Sequence, residues 1–450
     1  MNSESQAGSR RAGTRICVEH SGMGTLGDIA MLRNVTRKLR EQLPDTVFSF
    51  RGDEVRAYIP LIDGDGTFQG LQDYYEGVKR WFVSGPHKLF PKKGRARALD
   101  ALIVLATWRL LAAARFERLL GSKALCPREA RSFFAAIRES RLLFSAGGGG
   151  MTDAFLYDDL FAPCAEAMVA KVLGKPVVFS GQGIGPIRCR LGKKFARRGL
   201  SAACCVTFRE RESLGTAGLL GVKGPQLLCT GDDAHDLPVS QDRVKSARKR
   251  LEEMFEATPR QIIAVNARWA AYAESEGQDP GILLDVCRAV GSAPGVGIIF
   301  VPMLTNDSAE VAAYRVVQEK LCGSPPSNIL CDLRADPVEA KACVAASDLA
   351  VGMSYHFLLF ALSSGVPGLG LYASEYYRQK LEGEMERYGC TESVVDLRRS
   401  GWRQDLNRCF LSIMDRYHDI ASTLRGRQEA LSREIGVSLE RTIALARDDQ

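Results

Sequence analysis

Eleven short apolar runs, each followed by a turn and then by a helix-like stretch, constrain this chain more than any other feature. They lie at 15–19, 46–50, 142–145, 177–180, 206–208, 227–229, 261–266, 297–301, 328–331, 349–351 and 368–372. Most are apolar on both faces, which is the pattern of strands buried in a parallel sheet. Between them the apolar positions recur at helical spacing, as at Ile29, Leu32, Val35 and Leu39. Alternating strands and helices predict an α/β fold with right-handed crossovers. The runs fall into two series, and 450 residues suit two domains better than one core. We therefore expect two doubly wound, Rossmann-like domains. Residues 1–13 read as a disordered polar N-terminus and 14–237 as the first domain, with 68–129 inserted in it. Residues 238–258 read as a linker, 259–410 as the second domain, and 411–450 as helices packing back across the interface.

Composition removes several classes. Hydrophobic residues make up 46% and charged residues 25%, which excludes wholesale disorder or a fibrous repeat. Thirteen cysteines are present with no CxxC pair, so a reducing compartment is expected rather than a disulfide framework. The first residues lack the apolar core of a secretory signal, and no apolar run is long enough to span a bilayer. A cytoplasmic protein is expected. Between 88 and 131, eleven Lys and Arg stand against three acids, so most of the net charge of +7 is local. That argues for one basic surface and against nucleic-acid binding. Inside this stretch, residues 101–114 are almost wholly apolar apart from Arg109. Such a helix either lies on an anionic membrane surface or is buried in the first domain.

Ligands of open α/β sheets bind where strands end at their carboxyl edge. After the first run come Gly22, Gly24 and Gly27 in GxGxxG spacing, then Asp28, placed to cap the next helix. After the third run, Gly147, Gly148, Gly149 and Gly150 stand in a row, with Asp153 at the next helix start. Four glycines are costly inside a regular element and suit backbone that runs against a ligand. Asp153 is either a helix cap or a reacting group. The fourth run leads into Gly181-Gln182-Gly183-Ile184-Gly185-Pro186, followed by a basic helix. Arg209 follows the fifth run, and Asp232, Asp233 and His235 follow the sixth. Vicinal aspartates diverge on an extended chain, so no metal site is expected there. His356 sits at a strand-to-helix turn in a chain with five histidines, and a catalytic role is expected for it.

In this order, the turn at Gly27-Asp28, the glycine run to Asp153, GQGIGP at 181–186, Arg209 to Ser213, Thr230-Gly231-Asp232 and the block around His356 resemble the polysaccharide pyruvyl transferase family. The resemblance implies a GT-B-like fold with the active site in the cleft between the domains. It implies transfer of pyruvate from phosphoenolpyruvate to a sugar as a cyclic ketal, with release of phosphate and no cofactor. On this reading His356 is the general acid and Asp153 the base. Arg209 and Arg268 clamp the donor's anionic groups, and Gly148, Gly149, Gly150, Gln182, Gly183 and Gly185 line its site. Ser354 stands where the family often carries arginine, and Lys380 lies near the family's Tyr-x-x-Lys segment. The expected partner is a sugar or lipid-linked glycan, with contact to the inner face of the membrane through 88–131. A nucleotide-sugar glycosyltransferase and an inactive glycan-binding homologue are the alternatives.

Overall fold

The computed structural model describes residues 14–20, 24–268, 280–292, 294–305, 309–321, 327–331 and 336–448. Gly22 of the first glycine turn and the polar segment 1–13 lie outside the described residues. Eight strands form the first sheet: β1 (Arg15–Glu19), β2 (Val47–Arg51), β3 (Gly66–Phe68), β4 (Leu142–Ser145), β5 (Gly148–Met151), β6 (Val177–Ile184), β7 (Cys205–Phe208) and β8 (Gln226–Cys229). Their order is β3-β2-β1-β4-β6-β7-β8, with β5 also against β6. Six strands form the second: β9 (Gln261–Asn266), β10 (Val296–Phe300), β11 (Ser327–Leu330), β12 (Leu349–Gly352), β13 (Gly368–Tyr372) and β14 (Val394–Asp396). Their order is β11-β10-β9-β12-β13-β14. The central pairings are parallel, as in β1 with β4 and β9 with β12. These are two Rossmann-like domains, each reversing strand order beside its first strand, where such folds open a crevice.

Each apolar run of the sequence falls on one of these strands. No apolar run marks β3, β5 or β14. β5 corrects the expectation that the glycine run avoids a strand: Gly148 pairs with Gln182 and Met151 with Ile184. Glycines carry no side chains to alternate, so pairing with β6 is the only mark of this strand.

The loops at the two carboxyl edges meet. Leu26 N donates to Met303 O at 2.8 Å, and Thr25 forms an antiparallel bridge with Leu304. Tyr376 OH donates to Gly149 O at 2.9 Å, and Gln379 Nε2 to Ile184 O at 2.9 Å. The helix Gln241–Met254 leads from the first sheet to the second, and Arg248 ties it to Asp348 at 2.9 Å. The chain ends in a 31-residue helix, Tyr417–Arg447, that returns to the first sheet. Ser438 Oγ meets Ser180 Oγ of β6 at 2.7 Å, and Arg447 Nη2 donates to Gln42 O at 2.9 Å. Leu424, Leu431, Ile435 and Leu439 are its buried face.

The stretch 101–114 lies within the helix Arg95–Leu120. Ile103, Leu110, Ala113 and Ala114 pack into the first domain's core, and Thr107 Oγ1 meets Tyr75 OH at 2.8 Å. Leu105 and Trp108 on the same helix are exposed. The helix is therefore a core element on one face only.

Leu424 is fully buried where the returning helix packs. Leu424→Ala should destabilise the chain by about 2–5 kcal/mol, the usual cost of a large buried truncation. A lower urea midpoint checks this; an unchanged midpoint would show that the helix does not hold the domains together.

Candidate active site

His356 begins the helix Tyr355–Leu362, directly after β12. Its ring lies against the first turn of the helix Leu26–Gln42 from the other domain: a Cβ on Gly27 would fall 1.9 Å from His356 Cγ. Only glycine fits at 27. That turn is rigid because Thr25 and Asp28 form a reciprocal capping box. Thr25 N donates to Asp28 Oδ2 at 2.9 Å, and Asp28 N to Thr25 Oγ1 at 3.2 Å. On its other side His356 Nε2 lies 3.6 Å from Asp232 Oδ2, in the loop after β8. Burial works to raise the Asp232 carboxyl, but the His356 ring and Arg209 outweigh it and hold it below the ordinary range.

Three cations gather beside this pair. Arg209, at the end of β7, is almost wholly buried. Its Nε donates to Glu210 Oε2 at 3.0 Å, and its guanidinium lies over the Tyr355 ring at 4.4 Å. Lys380 comes from the helix Glu375–Tyr388 and donates to the Tyr376 hydroxyl. Burial, and then repulsion by Arg209, push Lys380 well below the usual lysine range. Arg268 follows β9, and its Nε donates to Tyr377 OH at 3.1 Å. The glycine loops wrap these heads closely. A Cβ on Gly149 would fall 2.3 Å from Arg209 Nη2 and 2.4 Å from Lys380 Nζ, and one on Gly183 would fall 2.6 Å from Arg209 Nη2. The glycines thus make room for cation heads rather than for a passing backbone. Arg209 Nη2 is buried with no hydrogen-bond partner among the described residues, and so is His356 Nε2. The arrangement can bind an anion of high charge and move a proton beside it.

Other expected site residues are used differently. The Asp153 carboxylate accepts from Arg188 N at 2.6 Å and Cys189 N at 3.3 Å, so it holds the turn after the Gly181–Pro186 loop. It is Asp232, not Asp153, that faces His356. Gln182 is also corrected: its Nε2 is spent on Ala146 O at 2.9 Å and Ser180 O at 3.0 Å, lacing β6 to the end of β4. Gly150 makes room for Asp159 rather than a ligand, since its Cβ would fall 2.2 Å from Asp159 Oδ2. Gly148 serves β5, and Gly185 takes a left-handed φ of 103° while its N donates to Met151 O. Nothing lies within 4 Å of a Cβ on Gly24, whose carbonyl accepts from Thr305 N. Ser354 stands at the start of the His356 helix without a side-chain capping bond and is buried, with its N–H on Asn266 Oδ1 at 3.1 Å.

The sequence reading passed over His20, at the end of β1. It is buried, with Nε2 3.6 Å from Asp28 Oδ1. Burial opposes its charge, but Asp28 and Glu19 outweigh that and raise its pKa. Burial likewise opposes the Asp28 charge, and His20 outweighs it, so that carboxyl is held low. A histidine directly after a parallel strand was the available signal. Burial pushes Asp233 up to about 7, which makes it a poor anion, and no group of three His, Cys, Asp or Glu among the described residues is placed to hold a metal ion.

The profile of the polysaccharide pyruvyl transferase family matches residues 100–375, and the chain belongs to that family. No curated protein matches the chain. Among solved structures it is similar to Anabaena HepE in complex with UDP and glucose, at 15% identity and a TM-score of 0.53, covering 96% of this chain and 98% of that one. It is similar to UDP-GlcNAc 2-epimerase from Neisseria meningitidis bound to UDP-GlcNAc, at 10% identity and a TM-score of 0.51, covering 96% and 99%. It is also similar to the calicheamicin glycosyltransferase CalG4, at 10% identity and a TM-score of 0.50, covering 97% and 98%. At these identities the likeness establishes the GT-B fold and not the reaction.

Asp233 also yields a pH dependence. Its folded pKa of about 7 exceeds the ordinary 3.8, so between those values the folded chain holds more protons than the unfolded one. Its contribution to stability is then present at low pH and lost as pH rises towards 7. Asp233→Asn should become more stable relative to wild type as pH rises across that window. Denaturant midpoints at several pH values check this; a constant difference would contradict it.

Proposed function

We propose that the protein transfers pyruvate from phosphoenolpyruvate onto a sugar of a polysaccharide or lipid-linked glycan precursor as a cyclic ketal, with release of phosphate. The observation that carries this reading is the cluster of Arg209, Lys380 and Arg268 beside His356, where the two domains meet. Phosphoenolpyruvate presents a carboxylate and a phosphate on one small carbon frame, which suits a buried arginine with a half-buried arginine and lysine beside it. Membership of the family supports the same class of reaction.

In this reading the His356 ring gives its proton to the methylene carbon of the donor, and Asp232, 3.6 Å from Nε2, favours the charged ring beforehand. The neighbouring carbon becomes oxocarbenium-like. One sugar hydroxyl adds to it, the C–O bond to phosphate breaks, and a second hydroxyl closes the ketal. The two hydroxyls lose two protons: one restores His356 and the other leaves with phosphate. Arg209, Arg268 and Lys380 hold the carboxylate and the departing phosphate, where fixed charges stabilise the transition state at no cost of reorganisation.

The variants separate these roles. His356→Asn should lower turnover by about 10²-fold or more, since Asn cannot donate a proton at neutral pH. Arg268→Ala should mainly raise KM for the donor. Asp153→Asn should lower the melting temperature and leave turnover per folded molecule nearly unchanged. Phosphate release from phosphoenolpyruvate, with a mass gain on a pool of sugar acceptors, is the assay. Wild-type turnover in the His356 variant would sink the mechanism, and release of UDP from a nucleotide sugar instead would replace the reaction.

A further inference from the structure

The helix Arg95–Leu120 is apolar on two opposite faces. One face, through Ile103, Leu110 and Ala114, is buried in the first domain. The other carries Ala101, Leu105, Trp108, Ala112, Arg115 and Leu119 at alternating spacings of four and three, a single stripe on a helix. Leu105 is 63% exposed, Trp108 55% and Leu119 79%. A groove of about 570 Å³ runs beside the stripe, walled by Trp108, Leu119, Leu125 and Phe195 and rimmed by Arg115, Lys194 and Arg198. Phe195, Lys194 and Arg198 belong to the helix Arg190–Leu200, which begins just after the Gly181–Pro186 loop of the cleft.

The charge around this face has one sign. Residues 79–125 carry eleven Lys and Arg against two acids, Asp100 and Glu117. Glu117 is buried and paired with Arg138 at 2.9 Å. The helix Arg190–Leu200 has no acid and exposes Lys193, Lys194, Arg197 and Arg198. A second copy of the chain would bring the same positive charge to the contact and be repelled. A surface that accepts tryptophan and leucine and is itself negative is complementary. No helix among the described residues is long and apolar enough to cross a membrane, so the contact is with a surface.

We infer that this face docks the protein on an anionic lipid bilayer, with Leu105, Trp108 and Leu119 seated among the acyl chains and Arg115, Lys194 and Arg198 on lipid phosphates. Interfacial helices combine these residue types, and each basic side chain near an anionic surface adds to the attraction. This inference does not depend on which donor the cleft takes.

Co-sedimentation of the full chain with phosphatidylcholine vesicles, with and without phosphatidylglycerol, tests it. Binding is expected only with the anionic lipid and should weaken as salt rises, because surface attraction is screened over about 8 Å at physiological ionic strength. Lys194→Glu with Arg198→Glu should weaken it at least about tenfold. Trp108→Ser with Leu119→Ser should also weaken it, and both side chains are exposed enough for the fold to persist. Donor turnover on a soluble acceptor should be unchanged in both double variants. Equal binding to neutral vesicles, or binding to neither, would overturn the inference. So would a concentration-dependent dimer abolished by Trp108→Ser with Leu119→Ser, which would make a second copy the occupant. Loss of turnover together with vesicle binding would also overturn it, by removing the distinction between docking face and cleft.

Discussion

Gathering Arg209, Arg268 and Lys380 in one place is the constraint on which much of this architecture depends. A buried cation needs a partner or gives up its charge. Arg209 has Glu210 and the face of Tyr355. Lys380 has a tyrosine hydroxyl and the repulsion of Arg209, and its charge is held only weakly. The cluster is paired through Glu210 and Asp232 yet leaves Arg209 Nη2 without a hydrogen-bond partner among the described residues, a place for an incoming anion. It also fixes the loops around it. At Gly149 and Gly183 a side chain would meet a cation head, so glycine there lets the heads keep their places.

The same logic joins the two domains. Arg209 and Asp232 come from the first sheet, and His356, Arg268 and Lys380 from the second or the helix beyond it. The His356 ring fits only because residue 27 is glycine, and the turn holding Gly27 is locked by Thr25 and Asp28. The returning helix Tyr417–Arg447 and the bonds from Tyr376 and Gln379 keep these edges in register. Each domain alone would hold an incomplete set of charges.

The sequence made the sheets readable because a strand buried on both faces is a compact apolar run. β3, β5 and β14 escaped it, being three or four residues long, with β5 almost all glycine. The site was half readable. His356, Arg209, Arg268 and Lys380 stand beside strand ends or in a family-like motif, and the fold brings them together. Asp153 and Gln182 occupy equally suggestive positions, yet their polar atoms are consumed by local backbone groups, which only three-dimensional structure reveals. His20 stands directly after β1, but its partner Asp28 lies beyond the glycine turn, so only the fold shows the pair. In sequence Asp232 belongs to an acidic pair and to the Thr230-Gly231-Asp232 motif, and its partnership with His356 spans the chain from one domain to the other.

The central claim is that Arg209, Arg268 and Lys380 form a site for a small, highly charged donor. Calorimetric titration with phosphoenolpyruvate tests it most directly. Wild type should bind, with an affinity that falls as salt rises and falls by about tenfold or more in Lys380→Met and in Arg268→Ala. Unchanged affinity in both variants, or tight binding of a nucleotide sugar with none of phosphoenolpyruvate, would contradict the account.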